Sequence, residues 1–255
     1  MQFIDTHAHV YSEELLPDLN QLMQNAISSG VTKIFMPAID SHSLEAMLSV
    51  ERAFPENCFA MMGLHPCYVK ENYKEELKLV EDWIGKRKFI AIGEIGLDFY
   101  WDKTFTKEQH IVFETQMQWA LDLNVPIAIH TRNAMGETIE ALKPFANKGL
   151  RGVFHCFSGS KESAEQIIDM GFHLGLGGVL TYKNAGVAEA VKDIPMEYLV
   201  LETDAPYLAP MPYRGKRNES VYIPLIAQKI AEIKNVSIDE VAEITSQNAL
   251  EIFEN

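Results

Sequence analysis

Nowhere in this chain of 255 residues does an apolar run approach the ~18 consecutive residues that a membrane-spanning helix needs. Membrane insertion is therefore not expected. The opening Met1-Gln2-Phe3-Ile4-Asp5 already reads as a strand, which leaves no space for a signal peptide and makes the cytoplasm the expected location. Cysteine is scarce. Cys58, Cys67 and Cys156 cannot all pair and lack zinc-knuckle spacing, which excludes a disulfide framework and suits a reducing compartment. Positive charge is also short: 22 Lys and Arg face 36 Asp and Glu, for a formal net charge of −14. Proteins that grip nucleic acid by neutralising phosphates normally present a basic face, so bulk charge argues against such a partner. Bound divalent cations would reverse that balance locally. No internal repeat, low-complexity tract or glycine-rich phosphate loop is present.

Apolar residues make up 47% of the chain and are spread evenly, enough for a large core and unlike a disordered segment. Short apolar, β-branched runs alternate with stretches of helical period, the pattern of parallel βαβ units. Eight such runs are present: 2–6, 33–38, 59–64, 89–94, 126–130, 152–154, 173–176 and 198–202. Thr106 to Gln109 and Ser237 to Glu240 have the capping-box pattern of helix starts, and Gly30 marks the end of a helix from about Glu13. The expected fold is α/β, a single (β/α)8 TIM barrel over residues 1–255, because a doubly wound sheet would usually carry a glycine-rich loop after its first strand. A monomer is the default.

Ionisable residues close several of the apolar runs. His7 and His9 follow the first run two residues apart, so they share a face, with Asp5 one step deeper as a residue that can hold a ligand in place. Glu94 and His130 end the fourth and fifth runs, and His155 and Asp204 follow the sixth and eighth. Barrel enzymes carry their chemistry at these carboxyl ends. Burying six such groups there would cost several kcal/mol each unless they were paired or metallated, so a metal site explains them together.

Taken with Gly63-Leu64-His65-Pro66, Gly93-Glu94-Ile95-Gly96-Leu97-Asp98, Ile129-His130-Thr131-Arg132, His155-Cys156-Phe157-Ser158-Gly159 and Glu202-Thr203-Asp204-Ala205-Pro206, this set resembles the TatD-type deoxyribonucleases, a branch of the metal-dependent hydrolase barrels. The resemblance implies that His7, His9, Glu94 and Asp204 hold one metal, that Glu94, His130 and His155 hold a second, and that Glu94 bridges them. It also implies 3′-5′ exonuclease or DNA-repair activity. One departure is Ser220, where many relatives carry proline, a change expected to affect loop stiffness.

The residue types fit that chemistry independently. Two divalent ions about 3.5–4 Å apart polarise a phosphoryl oxygen and bring the pKa of a shared water toward 7. Imidazole and carboxylate ligands suit Zn, Mn, Co or Mg. Asp204 can also accept the proton of the attacking water. His65 is expected either to hydrogen-bond a substrate phosphate or leaving oxygen, or to serve the His-Pro turn. Glu202, beneath Asp204, is expected to hold a ligand or an arginine. Asp98, read as lying outside its strand, either supports a ligand or forms a turn.

Around the same rim, Phe99-Tyr100-Trp101, Arg132, Tyr207, Tyr213, Arg214, Lys216 and Arg217 place aromatic rings beside cations, the combination that grips single-stranded nucleic acid. Those cations could equally pair with the chain's many acids. His42, His110 and His173 have no such company and are expected in surface or packing roles. Cys156 is expected to face the helix layer. The function expected is a metal-dependent deoxyribonuclease acting on single-stranded or frayed DNA. The alternatives are a hydrolase of small amides, lactones or phosphoesters, and a metal-binding interaction module.

Overall fold

The computed structural model describes residues 1–254. Eight parallel strands alternate with helices: β1 (Phe3–Asp5), α1 (Leu19–Ser28), β2 (Val31–Pro37), α2 (Leu44–Ala53), β3 (Cys58–Met61), α3 (Tyr73–Ile84), β4 (Ile92–Asp98), α4 (Thr106–Leu123), β5 (Ile127–Arg132), α5 (Met135–Ala146), β6 (Gly152–Phe154), α6 (Lys161–Asp169), β7 (His173–Leu176), α7 (Val187–Ala190), β8 (Leu199–Leu201), α8 (Ile223–Lys234) and α9 (Ile238–Phe253). Strands β1 to β3 form one ladder and β4 to β8 another. Gly93 N–H donates to Met62 O at 3.0 Å at one seam, and Thr6 N–H donates to Leu201 O at 2.9 Å at the other. The ring is thereby completed as a TIM barrel, as the alternating pattern implied.

Two apolar layers result. Ile4, Phe35, Met61, Ala128, Val153 and Val200, from six different strands, pack inside the ring. Ile252 and Phe253 at the end of α9 close that cluster from below, with Phe253 and Phe35 ring centroids 4.7 Å apart. The larger cluster lies between strands and helices. With the floor filled by hydrocarbon, the buried ionisable side chains collect at the carboxyl-end mouth.

Two sequence expectations need correction. The fourth strand runs from Ile92 to Asp98 rather than ending at Glu94, so Asp98 is its last residue and is buried. Between the pairs Ile92–Ile127 and Ile95–Ile129 the β4 side carries one extra residue, a bulge at Gly93-Glu94. Bulges re-aim side chains, and this one turns Glu94 into the mouth from within a strand. The capping box at Thr106 does not form: the Thr106 hydroxyl donates to Lys103 O at 2.8 Å and Gln109 is buried. Its amide pairs with the Asp98 backbone, as N–H to Oε1 at 2.9 Å and Nε2 to O at 3.1 Å. At α9, by contrast, Ser237 Oγ accepts from Glu240 N–H at 3.1 Å, as expected.

Candidate metal centre

Glu94 is the hub. Its Oε2 lies 3.2 Å from His7 Nε2 and 3.5 Å from His9 Nε2, and Asp204 Oδ1 lies 3.8 Å and 3.5 Å from the same two nitrogens. Its Oε1 lies 2.8 Å from His155 Nε2, 3.0 Å from His130 Nδ1 and 3.3 Å from His65 Nε2. One carboxylate thus presents each oxygen to a different set of donors. All six expected ligands meet at this point.

Several elements aim these groups. His7 and His9 lie beyond the end of β1, where the chain stays close to its neighbours: Ala8 N–H donates to Phe35 O at 3.0 Å and His9 N–H to Ala205 O at 2.8 Å. Asp5 accepts from Thr203 N–H at 2.9 Å and from its hydroxyl at 2.6 Å, and more weakly from His7 N–H at 3.4 Å. It therefore holds the backbones beside two ligands rather than an imidazole ring. Burial lifts its pKa to about 6 against those hydrogen bonds. Asp204 has the left-handed φ of 57°, sparsely used by non-glycine residues, and its N–H is fixed on His7 O at 2.9 Å.

Hydrogen bonds also decide which ring nitrogen faces the centre. The Tyr11 hydroxyl donates to Pro37 O, so its oxygen accepts from His9 Nδ1–H at 2.9 Å, leaving the Nε2 lone pair aimed at Glu94 and Asp204. His130 Nε2 is 2.9 Å from Asp98 Oδ2, which leaves Nδ1 facing Glu94. Carboxylate or hydroxyl partners of this kind orient metal-binding imidazoles. His65 behaves differently. Its Nδ1 accepts from Cys67 N–H at 3.0 Å, so the neutral ring carries its proton on Nε2, facing Glu94 as a donor rather than a ligand. The ring thus serves the His-Pro turn through Nδ1 while its Nε2 faces the centre.

Glu202 is fully buried, its Oε1 accepting from Cys156 N–H, and burial pushes its pKa up to about 8 despite nearby His155. A Cβ on Gly175 would stand 2.2 Å from Glu202 Oε2, so only glycine fits beside it. Cys156 has φ 47° and its backbone, rather than its thiol, serves the site.

Electrostatics keep Glu94 and Asp204 charged. Burial alone would raise Glu94, but His155, His65 and His7 hold it well below the usual range. Asp204 is likewise lowered against burial, chiefly by His9, His155 and His7. Burial and the His155 charge lower His7 to about 4, so its ring is neutral. Both His7 ring nitrogens are buried without a hydrogen-bond partner. Such orphaned polar atoms are costly, and a divalent cation between His7, His9 and Glu94, or between His7, His155 and Asp204, falls within the observed donor groupings. The mixed imidazole and carboxylate set fits transition metals and tolerates Mg.

The rim residues divide. Tyr207 is exposed, its ring 6.2 Å from His9. Arg132 lies over the Tyr100 ring at 3.9 Å and Trp101 at 5.1 Å. Arg214 lies over Tyr182 at 4.5 Å and Lys216 over Tyr213 at 5.9 Å, while Tyr213 stacks on Tyr222 at 4.5 Å. Arg217 is committed to Asp18 at 2.9 Å and Glu219 at 3.1 Å. Outside the donor cluster, His42 is exposed and His110 lines an outer groove with Glu114 and Glu137. Sequence reasoning missed Tyr11 and the glutamines of α4. The spacing of Tyr11 two residues after His9 was the available signal.

A (β/α)8 barrel with these donors at its mouth defines a metal-dependent hydrolase. The family described as TatD related DNase matches residues 4–254, and the chain belongs to that family. It is 37% identical over 250 residues to an uncharacterised metal-dependent hydrolase of Bacillus subtilis, covering 98% of each chain. It is 29% identical over 255 residues to the 3′-5′ ssDNA/RNA exonuclease TatD of Pantoea ananatis, again covering 98% of each. Among solved structures it is similar to a TatD homologue from Escherichia coli K12, with TM-score 0.93, 27% identity, and coverage of 99% of this chain and 98% of that one.

Proposed function

We propose that the chain is a cytoplasmic deoxyribonuclease with a two-ion centre, removing nucleotides from the 3′ end of single-stranded or frayed DNA. The observation that carries the reading is the division of labour on Glu94: His7 and His9, which also face Asp204, lie at one oxygen and His130 and His155 at the other. Divalent ions bound there would supply charge for a phosphoryl oxygen and lower the pKa of water. The residues do the rest. Asp204, kept ionised, accepts a proton from the attacking water. His65 Nε2–H, aimed into the mouth, donates to the phosphate or the leaving oxygen. Arg132, Arg214 and Lys216 offer cations to the backbone of the strand, and Tyr207 and Tyr213 offer ring surface. The exonuclease name of the Pantoea relative supports the substrate class.

The net charge of −14 favours a second reading, a hydrolase of small amides, lactones or phosphoesters. End-labelled single-stranded and duplex oligonucleotides, assayed with Mg, Mn, Co and Zn, separate the two. The expected result is stepwise loss from the 3′ end, faster on single strands and weakening steeply with salt. Glu94→Ala should abolish turnover and bind fewer than two ions per chain. Absence of cleavage with all four metals would transfer the assignment to the small-molecule reading.

A further inference from the structure

Resting on that reading, we propose that Tyr100, Trp101 and Arg132 form a rigid platform that stacks a nucleobase beside the metal centre, so that a base unstacked from its duplex is part of what this site recognises. The strands that carry the centre run directly into the platform. Glu94 and Asp98 belong to β4, His130 and Arg132 to β5, and Asp98 pairs with Arg132 in the ladder. Phe99 N–H then donates to Arg132 O at 2.9 Å.

Asp98 ties the two sites together. One oxygen, Oδ2, holds His130 Nε2 at 2.9 Å, and the other accepts the amides of Tyr100 at 2.9 Å and Trp101 at 3.2 Å. Hydrogen bonds from those groups, acting against burial, hold its carboxyl well below the usual carboxylate range. Farther along the loop, Lys70 pairs with Asp102 at 2.8 Å. The ring geometry is therefore set before any substrate arrives, which limits the ordering cost of binding.

Tyr100 and Trp101 stand 51% and 67% exposed, large aromatic faces that a folded chain gains nothing by leaving in water. Their rings meet edge to face at 4.8 Å. No carboxylate pairs with Arg132 among the described residues, in contrast to Arg217, which has two. A guanidinium backed by two rings and free of acids can contact a phosphate while its neighbours stack a base. Stacking of this kind tolerates any base, because every base has a π face. Within a duplex that face is covered by the next pair, so the platform selects frayed ends and single strands.

Binding measured in EDTA, where no turnover occurs, tests this. The probes are a fluorescein-labelled 12-mer of thymidine and a 12-mer of the same phosphate charge with every base replaced by hydrogen. The wild type should bind the thymidine strand about tenfold or more tightly than the abasic one, with quenching of Trp fluorescence. Trp101→Ala should bring that ratio close to unity, and Trp101→Phe, which keeps a ring, should restore most of it. Equal binding of both probes by the wild type, or discrimination that persists in Trp101→Ala, overturns the platform. If metal-loaded enzyme still degrades the thymidine strand in either case, the deoxyribonuclease reading stands without it. Failure to bind or degrade any oligonucleotide overturns both.

Discussion

A metal-binding imidazole must present a lone pair on one particular nitrogen, and the proton on the other nitrogen decides which. At His9 that decision belongs to Tyr11, whose hydroxyl is anchored on Pro37 O and takes the Nδ1 proton. Removing the hydroxyl leaves Nδ1–H buried without an acceptor and lets the ring turn or change tautomer. Loss of such a partner typically weakens metal affinity about 10- to 100-fold. Tyr11→Phe is thus expected to weaken Mn binding by that factor in calorimetry while leaving the barrel intact. An unchanged affinity would remove Tyr11 from the site. The cluster itself was legible, because His, Glu and Asp at the ends of apolar runs have few uses other than chemistry. Tyr11 was not, because a tyrosine near a strand end is ordinary packing until its oxygen is seen between an imidazole and a carbonyl. Glu94 was legible as a member of that cluster but not as a residue inside a strand, since a bulge depends on the register with β5, which no local pattern encodes.

At the scale of the element, α4 does more than cover the barrel. Its buried stripe of Gln109, Val112, Phe113, Gln116, Met117 and Ala120 follows helical period, with a glutamine one heptad from another. Gln116 Oε1 accepts Leu64 N–H at 2.7 Å and its Nε2 donates to Leu64 O at 3.1 Å, just before His65; Gln109 grips Asp98 in the same manner. The helix therefore sets the ends of two strands that lead into the mouth, completing backbone pairs that no neighbouring strand supplies. Gln109→Leu would leave the Asp98 amide and carbonyl buried and unpaired, at about 1–3 kcal/mol per group. Urea unfolding should show a loss of about 2–6 kcal/mol, together with weaker His130 positioning; a change below about 0.5 kcal/mol would mean water or a local shift replaces the amide. Sequence reading assigned Gln109 to a capping box because Thr-x-x-Gln is a helix-start signal, and polar residues on an inward stripe are invisible to a binary apolar pattern. Tertiary demand for a backbone partner overrode the local motif.

For the whole molecule, the concentration of charged groups has a thermodynamic consequence. The inner barrel is hydrocarbon from its floor upward, and the buried mouth collects Asp5, Glu94, Asp98 and Glu202 with five imidazoles within reach of Glu94. That arrangement opposes folding unless something binds it. The unfolded chain has no such constellation, so a cation that binds the native mouth must stabilise the fold by RT ln(1 + [L]/Kd), about 2.7 kcal/mol at one hundred times Kd. For a chain of this size each kcal/mol moves the melting temperature by about 2–4 °C, so saturating Mn should raise it by roughly 5–10 °C over EDTA. Glu94→Ala, which removes the carboxylate common to both donor sets, should lose most of that increment while remaining folded, because the apolar layers beneath do not depend on it. A wild-type melting temperature that ignores divalent ions would mean that the mouth binds them no better than the unfolded chain does, and the clustered carboxylates would then need another reason to be buried together.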